Sequence, residues 1–209
     1  MLSPGQLTGN GTDMLISIEQ ADISGGDSPN RLDATTFTSA VLSVSLRGGS
    51  GNDTLIAGVG PDGLFGDAGN DLLIGNGGGD DMYAGSGRDT VNGGEGDDSV
   101  RGQGTSGDVV IGGPGSDTID GGAGTDFLLE NSDAATLTVT NSSLDDGTDT
   151  DIVRRVERLM INGGPGNNTI DASGFSSGFV SILNGAGGDD QILGTSGPDA
   201  IVGLSLIHI

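Results

Sequence analysis

Apolar residues recur about every nine positions through the middle of the chain, each standing two residues after an aspartate. They are Leu55, Leu64, Leu73, Met82, Val91, Val100, Val110, Ile119 and Leu128. With apolar residues at 33% of the chain, nine hits in nine trials would arise by chance roughly once in twenty thousand. The period predicts a repeat architecture in which this apolar row forms the core.

The nine-residue unit first appears as GGSGNDTLI at residues 48–56, and its copies continue without a break to Leu129. One copy, which begins at Gly102, carries an inserted residue near Thr105. The sixth position is always aspartate: Asp53, Asp62, Asp71, Asp80, Asp89, Asp98, Asp108, Asp117 and Asp126. Because glycine adopts positive φ without steric penalty, loops with two or three glycines can curl tightly and aim their carbonyl oxygens inward.

The pattern GGxGxDxUx, with U an aliphatic residue, resembles the RTX (repeats-in-toxin) family of haemolysin-type calcium-binding repeats. The resemblance covers residues 48–129, and GAGGDDQIL from Gly185 and GTSGPDAIV from Gly194 extend it. It implies an all-β fold, a parallel β-roll or right-handed β-solenoid with calcium-binding loops. The resemblance further implies that two nonapeptides complete each turn. It also adds Asp190 and Asp199 to the nine array aspartates as expected metal ligands.

The electrostatics of the aspartates indicate a bound cation independently of the resemblance. If repeats i and i+2 stack as neighbouring strands, equivalent aspartates lie about 4.8 Å apart along each edge. Bare carboxylates at that spacing repel by roughly 0.9 kcal/mol per pair in water, and by more in a lower dielectric. The chain has 30 acidic residues against seven basic ones and a net charge of −23. The compensating charge is therefore expected to come from solution.

Calcium fits this site better than other metals, because it accepts about six to eight oxygens in flexible geometry whereas magnesium prefers an octahedron. The chain has no Cys and one His, His208, so zinc and copper lack their usual ligands. One predicted edge carries Asp53, Asp71, Asp89, Asp108 and Asp126, and the other carries Asp62, Asp80, Asp98 and Asp117. The gaps set a ceiling of about seven calcium ions for the main array. The insertion near Thr105 is expected to weaken the gaps beside Asp108.

The composition predicts that the nonapeptide block is largely unfolded without metal. The 43 glycines among 209 residues lose more backbone entropy on ordering than other residues would, and only 3% of the chain is aromatic. Low hydrophobicity with high net charge is typical of disordered chains. Calcium binding would then be coupled to folding. Because glycine and aspartate also build metal-free turns, a metal-free structural solenoid stays open as an alternative.

A longer repeat frames the array, because residues 11–45 and 147–183 read as one module written twice. Its period-two stretches, at Ile16 and Ile18, at Leu42, Val44 and Leu46, and at Val180 and Ile182, predict half-buried strands. We expect wider solenoid rungs or a small β-sandwich here. The predicted division is a partial β-rich linker module (1–47), the RTX β-roll (48–129), a second linker module (130–184), the start of a second array (185–203) and a non-native tail (204–209).

Asparagine replaces the frame aspartate at Asn30 and Asn168. It offers a carbonyl oxygen without charge, so structural turns are expected there. Asp33 and Asp171 each follow an aliphatic residue, and either a functional acidic pair or turn-stabilising residues would account for them.

The charge balance argues against nucleic-acid partners. Arg154, Arg155 and Arg158 form the one basic cluster and are expected to offset local acidity. So acidic a chain should repel phosphate backbones.

Catalysis is the rival class of function, but the residues give it little support. The chain has no Cys, and its one histidine, His208, lies in the tail LSLIHI (204–209), which resembles a translated sequencing adapter. Ser-His-Asp and Cys-His catalysis therefore have no base to use. A genuine final strand is the alternative for that tail. We therefore expect a non-enzymatic module.

No transmembrane stretch or N-terminal secretion signal is present in the sequence, and we expect this sequence to start inside a longer protein. Open, carbonyl-rich calcium sites suit extracellular calcium near 10⁻⁴ to 10⁻³ M. The resemblance implies export by a type I secretion system that reads a C-terminal signal. We expect a secreted or surface-attached bacterial calcium-binding module with a structural, adhesive or secretion-linked role, its surface or matrix ligand unknown. The alternative is the C-terminal repeat region of a secreted hydrolase, protease or pore-forming toxin whose active domain lies elsewhere.

Overall fold

The structure is a computed structural model that describes residues 6–7, 20–38 and 43–203. The described residues form 21 strands and no helix. The predicted strand residues Ile16, Ile18 and Leu42 and the tail 204–209 lie outside the described residues.

The strands are short, mostly three to six residues long. In chain order they are β1 (Gln6–Leu7), β2 (Gln20–Gly26), β3 (Arg31–Asp33), β4 (Ser43–Ser50), β5 (Thr54–Ile56), β6 (Gly63–Ala68), β7 (Leu72–Gly77), β8 (Asp81–Ser86), β9 (Thr90–Glu95), β10 (Ser99–Arg101), β11 (Val109–Ile111), β12 (Thr118–Asp120), β13 (Phe127–Ser132), β14 (Thr136–Thr140), β15 (Ser143–Asp145), β16 (Thr150–Arg154), β17 (Arg158–Gly163), β18 (Thr169–Gly174), β19 (Ser181–Asn184), β20 (Gln191–Leu193) and β21 (Asp199–Val202).

The strands build two sheets that wind as a β-solenoid of about nine turns. The twelve-stranded sheet has the order β1-β2-β4-β6-β8-β10-β12-β16-β15-β14-β18-β20, and the nine-stranded sheet has the order β21-β19-β17-β13-β11-β9-β7-β5-β3. Through the array each strand pairs in parallel with the strand two further along the chain. The predicted all-β solenoid, with two nonapeptides per turn, is confirmed.

The core is a single row of apolar side chains from each sheet, because the middle residue of each short strand points inward. In the twelve-stranded sheet Leu46, Leu64, Met82, Val100, Ile119 and Val153 stand in register. In the nine-stranded sheet the row is Leu32, Leu55, Leu73, Val91, Val110, Leu128 and Leu159. The array residues of both rows are no more than 1% exposed. The apolar period in the sequence is therefore the core.

The second linker module breaks the regular winding without leaving the two sheets. Strand β15 pairs antiparallel with both β14 and β16, whereas β16 pairs in parallel with β12, and β14 pairs in parallel with β18. Two strands of this module, β14 and β15, thus have no counterpart in the described part of the nine-stranded sheet.

One predicted phase within this module is wrong. The period of two at Val180 and Ile182 is present, but Ser181 and Leu183 are the buried residues, whereas Val180 is 42% exposed. Pairing decides the phase, because Leu183 lies opposite Ile161 of β17 in the core.

Aromatic and arginine side chains stack along the outer face of the twelve-stranded sheet. Arg47, Phe65, Tyr83 and Arg101 stand in register on neighbouring strands. The Phe65 and Tyr83 rings are stacked, and the Arg47 and Arg101 guanidinium groups lie over their outer faces, 4.6 and 4.7 Å from the ring centroids. We call these four residues the outer stack. They give the glycine-rich turns a second set of contacts outside the core.

Candidate metal sites

The array aspartates form two columns, one at each corner where the chain enters a sheet. The first column enters the nine-stranded sheet and contains Asp53, Asp71, Asp89, Asp108 and Asp126; the second enters the twelve-stranded sheet and contains Asp62, Asp80, Asp98 and Asp117. Within each column the backbone N–H of one aspartate donates to Oδ1 of the aspartate in the next turn, at 2.8 to 2.9 Å. The structure thus brings together the residues that the sequence assigns to each edge.

The second carboxylate oxygen is the unusual feature of these columns. All nine array aspartates are buried, with at most 6% of their surface exposed. In eight of them Oδ2 is buried and has no hydrogen-bond partner, the exception being Asp62, whose Oδ2 accepts the N–H of Gly58. A buried carboxylate oxygen without a partner is costly, so its repetition in successive turns makes the columns candidate cation sites.

Backbone oxygens face the same space. A Cβ placed on Gly66 would lie less than 3.0 Å from both Oδ2 of Asp71 and the carbonyl oxygen of Ala84 in the next turn. The first glycine of other units has the same surroundings: Gly48, Gly75, Gly93 and Gly102. Alanine stands at this position in two copies, as Ala57 and Ala84, so glycine is common there but not obligatory. Carboxylate and carbonyl oxygens together are the hard ligands that calcium accepts.

Two further positions have positive φ in most loops, which fixes the curl of those loops. The fourth residue of the unit is a glycine with φ between +110° and +154° in seven copies, for example Gly69 and Gly87. The second position is less strict, because Asp67, Asn76 and Gln103 occupy it with φ near +70°. A side chain at the fourth position is excluded doubly, since a Cβ on Gly87 would collide with the carbonyl group of Gly69.

Burial raises the pKa of the array carboxyls from Asp62 to Asp126. Burial, with smaller contributions from the carboxylates of Asp98 and Asp62, raises the pKa of Asp80 to about 8. Burial likewise raises the pKa of Asp108 and Asp117 to about 7, with neighbouring aspartates adding to the effect. The hydrogen bond from the preceding backbone N–H lowers each pKa but does not offset burial. Negative charge in these columns is therefore unfavourable without a counter-ion.

The inserted residue of the copy that begins at Gly102 does not disturb the first column. It is absorbed in the bend at residues 104–106, before Asp108. Asp108 still accepts the N–H of Asp89 at 2.9 Å and donates its own to Asp126 at 2.8 Å. The expected weakening of calcium binding beside Asp108 stays a prediction, and the hydrogen-bond geometry does not show it.

The second array repeats the arrangement in part. Oδ1 of Asp190 accepts the N–H of Asn168 at 3.0 Å, and its Oδ2 is buried without a partner. Asp199 is half-buried, and its Oδ1 accepts the hydroxyl of Thr195 instead of the N–H of an earlier turn. Asp190 therefore resembles the main array, and Asp199 departs from it.

The two frame asparagines differ in their hydrogen bonds. The N–H of Asn30 donates to Oδ1 of Asp53, and Nδ2 of Asn168 donates to the carbonyl oxygen of Ala134. Oδ1 of Asn168 is buried without a partner.

The two linker aspartates stabilise turns. Oδ1 of Asp33 accepts the N–H and hydroxyl of Thr35, and Oδ1 of Asp171 accepts those of Ser173. These hydrogen bonds lower the pKa of both carboxyls. Of the two interpretations of this pair, the structure supports the turn.

Sequence reasoning missed two acidic residues that continue the columns. Asp151 accepts the N–H of Asp117 through Oδ1 at 2.9 Å, and Glu157 accepts the N–H of Asp126 through Oε2 at 3.0 Å. Neither lies in a glycine-rich unit. The available signal was an acidic residue two positions before a buried aliphatic residue, as in Asp151 before Val153 and Glu157 before Leu159.

The RTX calcium-binding nonapeptide repeat family matches this chain at residues 45–73, 74–104, 103–129, 160–175 and 181–204, which together make up more than half of it. The chain belongs to the RTX calcium-binding repeat family. No curated protein and no solved structure gives a significant match.

The ligands of an RTX site in this chain must combine side chains and backbone. Among the described residues, no group of three or more His, Asp or Glu side chains forms a ready-made metal cluster. Each gap between turns instead offers column carboxylates and backbone carbonyl oxygens. These residues fit calcium, because all the donors are oxygens in a flexible, glycine-rich loop. Across the ranges that the structure describes, no helix is long and apolar enough to cross a membrane.

Proposed function

We propose that this RTX solenoid binds several calcium ions in the gaps between successive turns of both columns. The proposed ligands are the carboxylates of the nine array aspartates, with Asp190 and Asp199 of the second array, and the carbonyl oxygens of the neighbouring loops. The observation that carries this proposal is the buried, unpartnered Oδ2 in eight of the nine array aspartates. A bound calcium ion supplies the positive charge that these oxygens lack.

Backbone hydrogen bonds and glycine turns of the chain position the proposed ligand oxygens. Oδ1 of each array aspartate accepts a backbone N–H from the preceding turn, and in all of them except Asp62 this leaves Oδ2 beside the gap without a hydrogen-bond partner. The positive-φ glycines bring the next loop close enough for its carbonyl oxygen to face the same space. Of the arginine side chains, those of Arg47, Arg101 and Arg155 pair with Asp67, Asp81 and Asp120, none of which belongs to a column.

We also propose that the solenoid forms when calcium binds. Each turn contributes one core side chain per sheet, so hydrophobic burial per residue is small beside the entropy lost by a glycine-rich backbone. A net charge of −23 adds repulsion to the compact state. The binding free energy of calcium is then part of the folding free energy.

The test is circular dichroism of the purified chain in chelator, in calcium and in magnesium at equal concentration. We expect strand signal in calcium alone, because magnesium gives up its water reluctantly and needs a strict octahedron. A chain with full strand signal in chelator would contradict folding on binding. Calorimetry of the same sample gives the stoichiometry, which for the main array should not exceed about seven ions.

We further propose that the module works outside the cell as a structural, adhesive or secretion-linked element. Supporting this, the family repeats and the open, carbonyl-rich loops suit a compartment with abundant calcium. A chain that stays unfolded at low cytosolic calcium would fold after export. The expected calcium concentration at half-folding is about 10⁻⁴ to 10⁻³ M. A midpoint below about 10⁻⁶ M would contradict extracellular use, because the chain would then fold inside the cell.

A further inference from the structure

The first column does not end at Asp126, the last aspartate of the unbroken array. Glu157 lies in the next turn, and its Oε2 accepts the N–H of Asp126, as Oδ1 of Asp126 accepts the N–H of Asp108. Residues 130–159 fall between the matched family segments, so the repeat pattern assigns no role to Glu157.

The space beside Asp126 has the same lining as the gaps within the array. A Cβ placed on Gly121 would lie less than 3.0 Å from Oδ2 of Asp126 and from the carbonyl oxygen of Arg155. One turn earlier, a Cβ on Gly102 would meet Oδ2 of Asp108 and the carbonyl oxygen of Gly121 in the same way. The Arg155 carbonyl therefore takes the place of the glycine carbonyl.

The change from aspartate to glutamate accompanies a shorter loop. Asp126 follows Gly121 by five positions, whereas Glu157 follows Arg155 by two. Fewer residues thus separate the corner from the carboxylate, and the additional methylene group of glutamate lets the carboxylate reach the N–H of Asp126. Arg155 has φ +49°, so the turn is tightened by a residue other than glycine.

No positive group described in this region neutralises the two carboxylates. Oδ2 of Asp126 has no hydrogen-bond partner, and Asp126 is 0% exposed. The guanidinium group of Arg155 pairs with Asp120. That of Arg158 lies over the Phe127 ring, and its Nε donates to the carbonyl oxygen of Val180.

We propose that Asp126, Glu157 and the carbonyl oxygen of Arg155 form a further calcium site that joins the nonapeptide array to the inserted linker segment. This inference rests on the proposed calcium binding by the array, and it adds one ion beyond the predicted gaps of the first column. In this arrangement calcium orders the turn at residues 155–157 together with the last array loop.

The test compares Glu157→Gln with Glu95→Gln in the full chain by calorimetric titration with calcium. Glu157→Gln keeps an oxygen to accept the N–H of Asp126 but removes the charge, and Glu95 is an exposed array residue outside both columns. We expect Glu157→Gln to bind one calcium ion fewer than the wild-type chain, and Glu95→Gln to bind the same number. Equal stoichiometry in all three chains would overturn the site while leaving the array sites standing. A wild-type chain that takes up no calcium would overturn both proposals.

Hydrogen exchange locates the effect. In the wild-type chain, added calcium should protect backbone amides in peptides that span residues 150–163 as well as those of the array. Glu157→Gln should lose most of the protection at 150–163 and keep that at residues 66–98. Because glutamine preserves the hydrogen bond, a purely structural role for Glu157 predicts unchanged protection in both regions, and that result would contradict the site.

Discussion

The backbone N–H of Asp71 donates to Oδ1 of Asp89 in the next turn at 2.8 Å, which leaves Oδ2 of Asp89 buried without a partner. One carboxylate therefore divides its two oxygens between two tasks. Oδ1 fixes the spacing of neighbouring turns, and Oδ2 remains available to a cation. The same division recurs in the other array aspartates except Asp62, so the residues that set the geometry of the solenoid are also those proposed to bind calcium.

The double variant Asp71→Asn/Asp89→Asn tests this division. Asparagine retains an oxygen at Oδ1 to accept the backbone N–H but removes the charge. We expect the calcium ion between these residues to be lost. The ions on either side should bind about tenfold more weakly, which corresponds to about 1.4 kcal/mol each.

Calorimetric stoichiometry is the measurement for this pair. The control is Asp27→Asn/Glu95→Gln, which removes the same charge at exposed positions. If the column variant retained the wild-type stoichiometry, the model of ions between stacked aspartates would be wrong.

The fourth glycine of the unit should be intolerant of a side chain. Gly87 has φ +138°, and its Cβ would collide with the backbone carbonyl of Gly69, which cannot move without breaking the sheet register. We expect Gly87→Ala to lower the free energy of unfolding in saturating calcium by about 1–3 kcal/mol.

Gly166→Ala is the matched control, because Gly166 does not have positive φ and a Cβ there would meet no atom within 4 Å. It should change stability by less than about 0.5 kcal/mol. Urea unfolding of both variants in calcium gives the comparison, and equal midpoints would refute the steric argument.

The metal-free chain should become more ordered as the pH falls from 8 to 5.5. Burial raises the pKa of Asp80 to about 8 and that of Asp117 to about 7, above the ordinary value of 3.8. A carboxyl with a raised pKa in the folded state favours folding fully below 3.8, and this contribution is lost as the pH rises through the folded-state pKa.

Circular dichroism of the metal-free chain in chelator, recorded between pH 8 and pH 5.5, tests the direction of this change. Protons should partly replace calcium in neutralising the columns, and calcium affinity should fall as the pH is lowered. A metal-free strand signal that grew toward pH 8 would contradict the assignment of these carboxyls as the groups that oppose folding.

The outer stack should stabilise the calcium-loaded solenoid. The Phe65 and Tyr83 rings lie with centroids 5.2 Å apart and planes 6° apart. Removing Phe65 loses this stacking and the contact with Arg47, so Phe65→Ala should cost about 1–3 kcal/mol of unfolding free energy.

Phe179→Ala serves as its control, because Phe179 is 47% exposed. Tyr83 provides the measurement, since the chain contains one tyrosine and no tryptophan. Its fluorescence should change as calcium orders the solenoid, and the midpoint should shift to higher calcium in Phe65→Ala. Identical midpoints in both variants would argue against the outer stack.

The sequence predicted the repeated part of this fold in detail, because one local rule recurs nine times. The rule places Asp71 and Asp89 in one column and Leu73 and Val91 in one core row, as the structure does. Applied to glycine-rich units alone, the rule missed Asp151 and Glu157. Both have the same spacing to a buried aliphatic residue, but they reach the columns through long-range pairing of β16 with β12 and of β17 with β13. The prediction that Val180 and Ile182 face the core at β19 was wrong for the same reason, because pairing with β17 sets the phase.

The three antiparallel strands β14, β15 and β16 separate the two arrays along the second column. On one side of these strands, Asp151 follows Asp117 in the column. On the other side, Nδ2 of Asn168 donates to the carbonyl oxygen of Ala134, and its backbone N–H donates to Oδ1 of Asp190. Carboxylates of the two arrays are therefore not adjacent at this corner. Each array should therefore respond to calcium as its own cooperative unit. Strands β14 to β16 should stop loss of order in one array from spreading along this corner into the other.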